Sequence, residues 1–220
     1  MFHKDSRGIY QVADWDAFPW LDHGFGTRHA DLSGLFPQLA TLKQAHSAEC
    51  VTARGRTGVL GRGDALLENT PGALIAVKTA DCLPILLVDP VVRAVAAIHA
   101  GWRGTVARVA ARAVAAMSVE FRTRPENLRA AIGPGIGKCC FEVGPEVAAP
   151  FDEPASGDGR AHVDLAAANR RQLIEARVTP SAIVASNLCT LCHPAEFESY
   201  RRDREKAGRM FSFAGLRTPL

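Results

Sequence analysis

The side chains best suited to hold a transition metal fall in three short polar segments, Leu42-Lys-Gln-Ala-His46, Lys78-Thr-Ala-Asp-Cys82-Leu-Pro84 and His99-Ala-Gly-Trp-Arg-Gly104. Thiolate is a soft ligand and imidazole a borderline one, a pairing that favours zinc or copper over magnesium or calcium. His46, Cys82 and His99 with an open fourth position would make a catalytic centre. A fourth ligand from the chain, Cys139 or Cys189, would make a closed structural one. Equally, Cys82 can be a small buried hydrophobe and the two histidines can be satisfied by hydrogen bonds in loops. The spacing matches no compact zinc motif, so residue type alone leaves both readings open.

The elements that must position these residues are short apolar runs. Ala73-Leu-Ile-Ala-Val77 and Ile85-Leu-Leu-Val88 flank Cys82, and Ala94-Val-Ala-Ala-Ile98 leads into His99. Uniformly apolar runs of this length, bounded by Pro, Asp and Gly, predict strands buried on both faces with polar residues at their ends. Ile9–Val12, His23–Thr27, Cys50–Thr52, Leu128–Ile132, Ala182–Ala185 and Met210–Phe213 are further strand candidates. Arg54 to Gly63 reads as a turn and Asp31 to Pro37 as a loop. After Gly104 the period changes. Thr105 is the expected N-cap of a helix carrying Val106, Val109, Ala110, Ala113, Val114 and Met117 on one face, with Arg108 and Arg112 turned to water. Its N-terminus would aim unpaired N–H groups at the metal ligands, a natural anion site. Pro145 suits the first position of a helical turn, and Asp164 caps a second helix over Leu165, Asn169, Gln172, Leu173 and Ala176, with Pro180 beyond its end. Phe151 to Arg160 is rich in Asp, Gly, Pro and Ser and is the least ordered candidate.

The chain has 220 residues, 47% hydrophobic and 22% charged, which suits a globular core and a single domain over 1–220. A net charge of +3 is too small to argue for nucleic acid, and the Arg201–Lys206 cluster, half neutralised by its own acids, reads as a solvated face. No basic start leads into an apolar leader and no apolar run approaches the length of a membrane span, so no membrane partner and a cytoplasmic location are expected. In that compartment the six cysteines should be reduced, serving as core, ligands or nucleophiles rather than as a disulfide framework.

Three motifs mislead. Gly133 to Lys138 has the wrong spacing for a phosphate-binding P-loop, and Cys139 stands where Ser or Thr should bind magnesium. Cys189-Thr-Leu-Cys192-His193 matches haem attachment by letter, but that chemistry needs export. A turn with packed thiols is the commoner explanation, and a second metal site on Cys189 and Cys192 the alternative. The His-x-Glu and Pro-Cys-x-x-Cys segments of the nucleobase deaminases are absent.

Lys43-Gln-Ala-His46, Asp64-Ala with Asn69-Thr-Pro-Gly72, Thr79-Ala-Asp-Cys-Leu-Pro84, His99-Ala-Gly-Trp-Arg-Gly104, Ile132-Gly-Pro, Phe141-Glu-Val-Gly144, Cys189-Thr190 and Ser199-Tyr-Arg-Arg-Asp203 with Gly208-Arg209 recur together in one family. From Leu42 to the C-terminus the chain resembles the multicopper polyphenol oxidoreductase (laccase-like) family, also described as purine nucleoside phosphorylases and peptidoglycan editing factors. The resemblance implies an α/β (α+β) fold, a single-domain layered α/β/β/α sandwich related to the catalytic domain of cytotoxic necrotising factor toxins. It implies metal ligands at His46, Cys82 and His99, with zinc the expected ion and copper the alternative. The implied substrates are small purine nucleosides and phosphate: phosphorolysis of adenosine, inosine and S-methyl-5'-thioadenosine, and deamination of adenosine. The chain departs from the family in its short Ala30–Thr41 stretch, which lacks the usual Asn-Leu-Gly and Gly-Asp-Asp segments, and in Ser47, where glycine is usual.

On this resemblance Asp81 is the candidate for proton transfer or for orienting a ligand, with turn capping as its alternative. Arg103 is the leading phosphate contact, because a guanidinium offers a bidentate fork; Lys78 and Arg201 are the secondary ones, with surface charge as their alternative. One rival activity is a cysteine hydrolase or amidase editing a peptidoglycan precursor, with Cys82 as nucleophile and His99 as base. Copper-dependent oxidation of phenols is a second rival, and partner binding without catalysis a third.

Overall fold

The computed structural model describes all residues except 33, 36, 38, 152, 154, 155, 158, 219 and 220. Two mixed sheets stack face to face. One has seven strands in the order β1 (Phe2–Lys4), β2 (Ile9–Val12), β3 (Leu21–Gly26), β15 (Met210–Leu216), β8 (Leu74–Thr79), β4 (Leu39–Lys43), β6 (Gly58–Arg62). The other has six, in the order β14 (Ile183–Ala185), β11 (Arg129–Ile132), β9 (Leu83–Asp89), β10 (Ala94–Ala100), β7 (Ala65–Glu68), β5 (Cys50–Thr52). A two-stranded ribbon pairs β12 (Glu142–Val143) with β13 (Ala161–His162).

The uniform apolarity of the central strands follows from burial on both faces. Along β9, Leu86 and Val88 pack into the core between the sheets beside Ile75, Val77 and Val95. Ile85 and Leu87 point the other way, onto the helical layer. With a side-chain period of two, both faces must be apolar, and every residue of β9 and β10 is buried. The helical layer is α2 (Val109–Phe121), buried through Val109, Ala110, Ala113, Val114 and Met117, the single turn α3 (Pro145–Ala148), buried through Val147 and Ala148, and α4 (Leu165–Glu175), buried through Leu165, Ala168 and Leu173. Asp164 caps α4 as its sequence predicts, its carboxylate accepting from the Ala167 N–H at 2.8 Å.

The structure corrects several expectations. A helical layer on each outer face is expected, but the apolar cluster outside the seven-stranded sheet (Ile9, Leu32, Leu39, Leu74, Ala76 and Phe213) draws on no helix among the described residues; Ala30 and Leu35 pack against it instead. Gly24 lets this layer close, since a Cβ there would collide with Ile9 Cγ2. The segment read as a turn from Arg54 to Gly63 contains β6, which pairs in parallel with β4. Its side chains are mostly exposed, so no hydrophobic alternation marked it.

The helix after His99 begins at Trp102, not after Thr105, and breaks once. α1 (Trp102–Val106) ends where Arg108 adopts the left-handed conformation, φ 62°, and α2 follows. Thr105 is not a cap but a buried residue whose hydroxyl donates to Gly101 O at 3.0 Å. Its carbonyl, which a continuous helix would give to the Val109 N–H, accepts instead from Gln172 Nε2 at 2.7 Å and from the Arg108 N–H at 2.9 Å. Arg108 therefore marks the break between the two helices; it and Arg112 are exposed, as expected, and its guanidinium pairs with Glu175 on α4.

Candidate metal centre

The three predicted ligands meet where the two sheets adjoin. His46 follows β4 of the seven-stranded sheet, Cys82 sits in the turn that carries the chain from β8 of that sheet to β9 of the other, and His99 lies near the end of β10. In the β9–β10 register His99 stands opposite Pro84, two residues from Cys82. One donor atom from each of the three residues lies within 4.8 Å of the other two, and the two imidazole rings meet edge to face at 4.9 Å between centroids.

Each ligand is fixed by a device of its own. His46 is held at φ 56° in a turn wrapped round the buried carboxylate of Asp64, which accepts from the N–H groups of Ala45, His46 and Ser47 at 3.2, 3.0 and 2.6 Å. The Ser47 hydroxyl adds another bond at 2.7 Å, so serine here strengthens the turn. Gln44 pins the same turn to β8 by donating to Lys78 O and accepting from the Lys78 N–H, at 2.7 and 2.8 Å. Asp64 also takes Nδ1 of His99 at 2.8 Å, leaving Nε2 as the ring's free donor. Cys82 is presented by a turn in which Asp81 adopts φ 82°. The Asp81 carboxylate is fully engaged there: Thr190 donates to it at 2.6 Å, Ser199 at 3.1 Å and the Arg201 N–H at 2.6 Å.

Electrostatics favour an anionic sulfur beside a cationic ring. Burial alone would raise the Cys82 pKa, but hydrogen bonds from His46 and His99 and the charge on both rings bring it down to about 6. Burial would lower that of His99, yet the bonds to Asp64 and to the Cys82 sulfur lift it to about 9. Asp64 is itself held well below the carboxylate range: burial opposes ionisation, and the bonds from His99 and Ser47 outweigh it.

A thiolate and two imidazoles suit zinc, and Asp64 behind His99 would complete a carboxylate–histidine–metal arrangement, its bond to Nδ1 setting the ring's tautomer. No fourth Cys, His, Asp or Glu among the described residues joins the group. Cys139 and Cys189 lie in a separate cluster. Gly101 keeps the near side clear, because a Cβ there would sit 2.8 Å from Cys82 Sγ and 3.2 Å from His46 Cδ2. The residues present therefore fit a metal with an open position.

The group opens into a cleft of about 750 Å³ that all the predicted site residues line: His46, Lys78, Asp81, Cys82, His99, Arg103 and Arg201. Its lining is partly basic and partly apolar and aromatic: Lys43, Arg204 and Arg209 add to the positive charge, and Leu42, Trp102, Ile136, Phe141 and Tyr200 form much of the rest. Arg103 stacks on the Trp102 ring at 4.4 Å, and Arg201 lies over Phe141 at 5.6 Å while donating to Glu142 O. The Arg201–Lys206 segment, read from sequence as a solvated face, thus contributes Arg201 and Arg204 to the cleft. Asp64, Gln44 and the aromatic residues escaped the sequence reading of the site. Asp64-Ala is present among the family segments, yet only the fold reveals that three amides and a ligand ring converge on it. The shortened Ala30–Thr41 stretch includes residues outside the described set.

Residues 27–217 match the family described as multi-copper polyphenol oxidoreductase laccase. The chain is 44% identical over 183 residues to a purine nucleoside phosphorylase of Deinococcus radiodurans, covering 80% of this chain and 70% of that protein. It is 43% identical over 161 residues to adenosine deaminase RL5 from an unknown prokaryotic organism, covering 68% of this chain and 60% of that protein. The crystal structure of YlmD from Geobacillus stearothermophilus superposes with a TM-score of 0.86 at 28% identity, covering 98% of both chains. No helix among the described residues is long and apolar enough to cross a membrane.

Proposed function

Because the chain belongs to the multi-copper polyphenol oxidoreductase laccase family, whose relatives include proteins named as a purine nucleoside phosphorylase and an adenosine deaminase, we propose that it is a zinc-dependent purine nucleoside enzyme. It would cleave adenosine, inosine and S-methyl-5'-thioadenosine with phosphate, and deaminate adenosine. The observation that carries this reading is the convergence of His46, Cys82 and His99, with no fourth ligand among the described residues, in the lining of a basic and aromatic cleft. When bound, zinc supplies Lewis-acid chemistry that acidifies water and polarises a substrate atom.

The chain's own residues do the rest. Asp64 holds the proton on His99 Nδ1, keeping Nε2 directed away as a ligand. Trp102 and Phe141 offer aromatic surface to a purine, and a cleft of about 750 Å³ accommodates a nucleoside with phosphate. Arg103, with Lys78 and Arg201, binds phosphate: a guanidinium makes two parallel bonds to an oxyanion, and stacking on Trp102 holds it in place. Asp81, its oxygens taken by Thr190, Ser199 and Arg201, is assigned a positioning role rather than proton transfer.

The test is to incubate zinc-loaded protein with adenosine, with and without phosphate. Inosine in both reactions, and adenine with ribose 1-phosphate only when phosphate is present, are the expected products. A wild type that forms none of them, unchanged by Cys82→Ala, would end the nucleoside reading. The lowered pKa of Cys82 beside His99 favours one other chemistry, a thiolate nucleophile acting on an amide of a peptidoglycan precursor. A covalent adduct trapped on Cys82 during turnover of metal-free protein would replace the zinc reading with that one, whereas activity strictly dependent on zinc excludes it. Copper oxidation of phenols predicts oxygen uptake by copper-loaded protein.

A further inference from the structure

We propose that Cys139, Cys140, Cys189 and Cys192 form a second metal site, a closed tetrathiolate that holds one zinc ion structurally, apart from the His46–Cys82–His99 centre.

The four sulfurs all lie within 4.8 Å of one another, and Cys192 Sγ is 3.6 Å from that of Cys139 and 3.4 Å from that of Cys140. A zinc ion bonded to four sulfurs at about 2.3 Å has them at the corners of a tetrahedron with edges of about 3.8 Å. The cluster is already close to that spacing. A disulfide, at about 2.05 Å, would need even the pair at 3.4 Å to close by more than an ångström. All four donors are sulfur, and no His, Asp or Glu among the described residues belongs to the group. An all-thiolate tetrahedral set is the pattern of structural zinc, with four protein ligands and no room for a reactant. Binding displaces the thiol protons to solvent as the four zinc–sulfur bonds form.

The backbone is arranged to hold sulfur in this place. Gly137 donates its N–H to Cys189 Sγ at 3.3 Å, and its carbonyl accepts from the N–H groups of Cys140 and Phe141, each at 3.0 Å, closing a tight turn around the adjacent cysteines. A bridge between Gly135 and Cys189 brings the two cysteine-bearing segments side by side. Cys139 and Cys192 are exposed, Cys140 is half-buried and Cys189 is buried, and a shared ion accounts for two surface thiols held against two deeper ones. The site also has a purpose within the fold. Ile136 and Phe141, on either side of the Cys139–Cys140 pair, line the catalytic cleft, and Thr190, next to Cys189, donates to Asp81 in the turn that presents Cys82. A zinc ion here ties the cleft wall to that turn.

The experiment is zinc quantification by mass spectrometry on protein purified under reducing conditions and desalted, compared among wild type, Cys139→Ser/Cys192→Ser and His46→Ala/His99→Ala. The double cysteine variant should lose one zinc per chain that the double histidine variant retains. Should the cysteine variant fail to fold, wild-type labelling decides: with zinc, Cys139 and Cys192 should resist N-ethylmaleimide despite their exposure, and a chelator should expose them. The proposal is overturned if the cysteine variant keeps all the wild-type zinc, if labelling is equally fast with and without zinc, if the purified protein carries a disulfide among these cysteines, or if the bound ion is iron. A zinc count as expected in a protein inactive on nucleosides would defeat the proposed function and leave this site standing.

Discussion

The two sulfur-bearing clusters are joined through the cleft wall at Ile136 and Phe141 and through Thr190 and Asp81, and they differ in their partners. At His46, Cys82 and His99 one sulfur is shared with two rings, one of them backed by a carboxylate, and Gly101 leaves the near side clear. At Cys139, Cys140, Cys189 and Cys192 every candidate ligand atom is sulfur, held by turns from two irregular segments. The difference teaches that ligand count and second partners, rather than the presence of cysteine, would separate a metal site with room for a reactant from one without. The open site is built on two turns and a strand end, held by hydrogen bonds to Asp64 and Asp81; the closed one would be completed by its ion.

The contrast predicts a graded series of effects. Cys82→Ala should lower nucleoside turnover by ~10³-fold or more, about 4 kcal/mol of transition-state stabilisation, with the cluster's zinc retained. Assays of kcat/KM and zinc content on one preparation check both halves. Asp64→Asn should weaken metal binding or activity by ~10–100-fold, because the group that orients His99 no longer carries charge. Competition with a zinc chelator measures this, and an unchanged affinity would show Asp64 to be merely a turn scaffold. Arg103→Ala should raise KM for phosphate by ~10-fold, the loss of a charge-assisted pair, while leaving zinc content and adenosine deamination nearly unchanged. Equal losses in both reactions would remove Arg103 from phosphate binding. Cys139→Ser/Cys192→Ser should act on stability before chemistry, lowering Tm by ~5–10 °C, as a loss of ~2–3 kcal/mol does in a protein of this size. A collapse of turnover with Tm unchanged would invert the roles given to the two clusters.

The metal-free protein offers a finer comparison through pH. Cys82, lowered to about 6, remains a thiolate as pH falls from its usual range, and its stabilising contribution is lost on passing below about 6. His99, raised to about 9, remains charged as pH rises, and its contribution is lost on passing above about 9. The pair therefore persists between those values. Alkylation of Cys82, followed by peptide mapping, should rise with a midpoint near 6, and zinc should suppress it; a midpoint near 9 would contradict the arrangement described.

Much of this was legible in the sequence where burial imposed a pattern. The runs Leu83–Asp89 and Ala94–Ala100 declare themselves as strands because both faces are apolar, and the polar residues at their ends were the natural place to look for ligands. Where burial imposes nothing, the sequence was silent. Gly58–Arg62 pairs through its backbone with exposed side chains, and the break at Arg108 is marked by neither Gly nor Pro but by Gln172 on a distant helix. Asp64 looks like any acid at the start of a strand until its partners are seen. The four cysteines form two pairs far apart in the chain, and only the turn at Gly137 brings Cys139 and Cys140 to Cys189 and Cys192. The resemblance between the cysteine pairs and other motifs drew attention to each separately and hid their meeting.

The most direct test of the open centre is anomalous diffraction from crystals of zinc-loaded protein, recorded on both sides of the zinc absorption edge. The account predicts a peak bonded to His46, to Cys82 Sγ and to Nε2 of His99, with its remaining position filled by solvent or substrate. Zinc absent from that position in loaded crystals, or closed there by a fourth side chain of the protein, would contradict it.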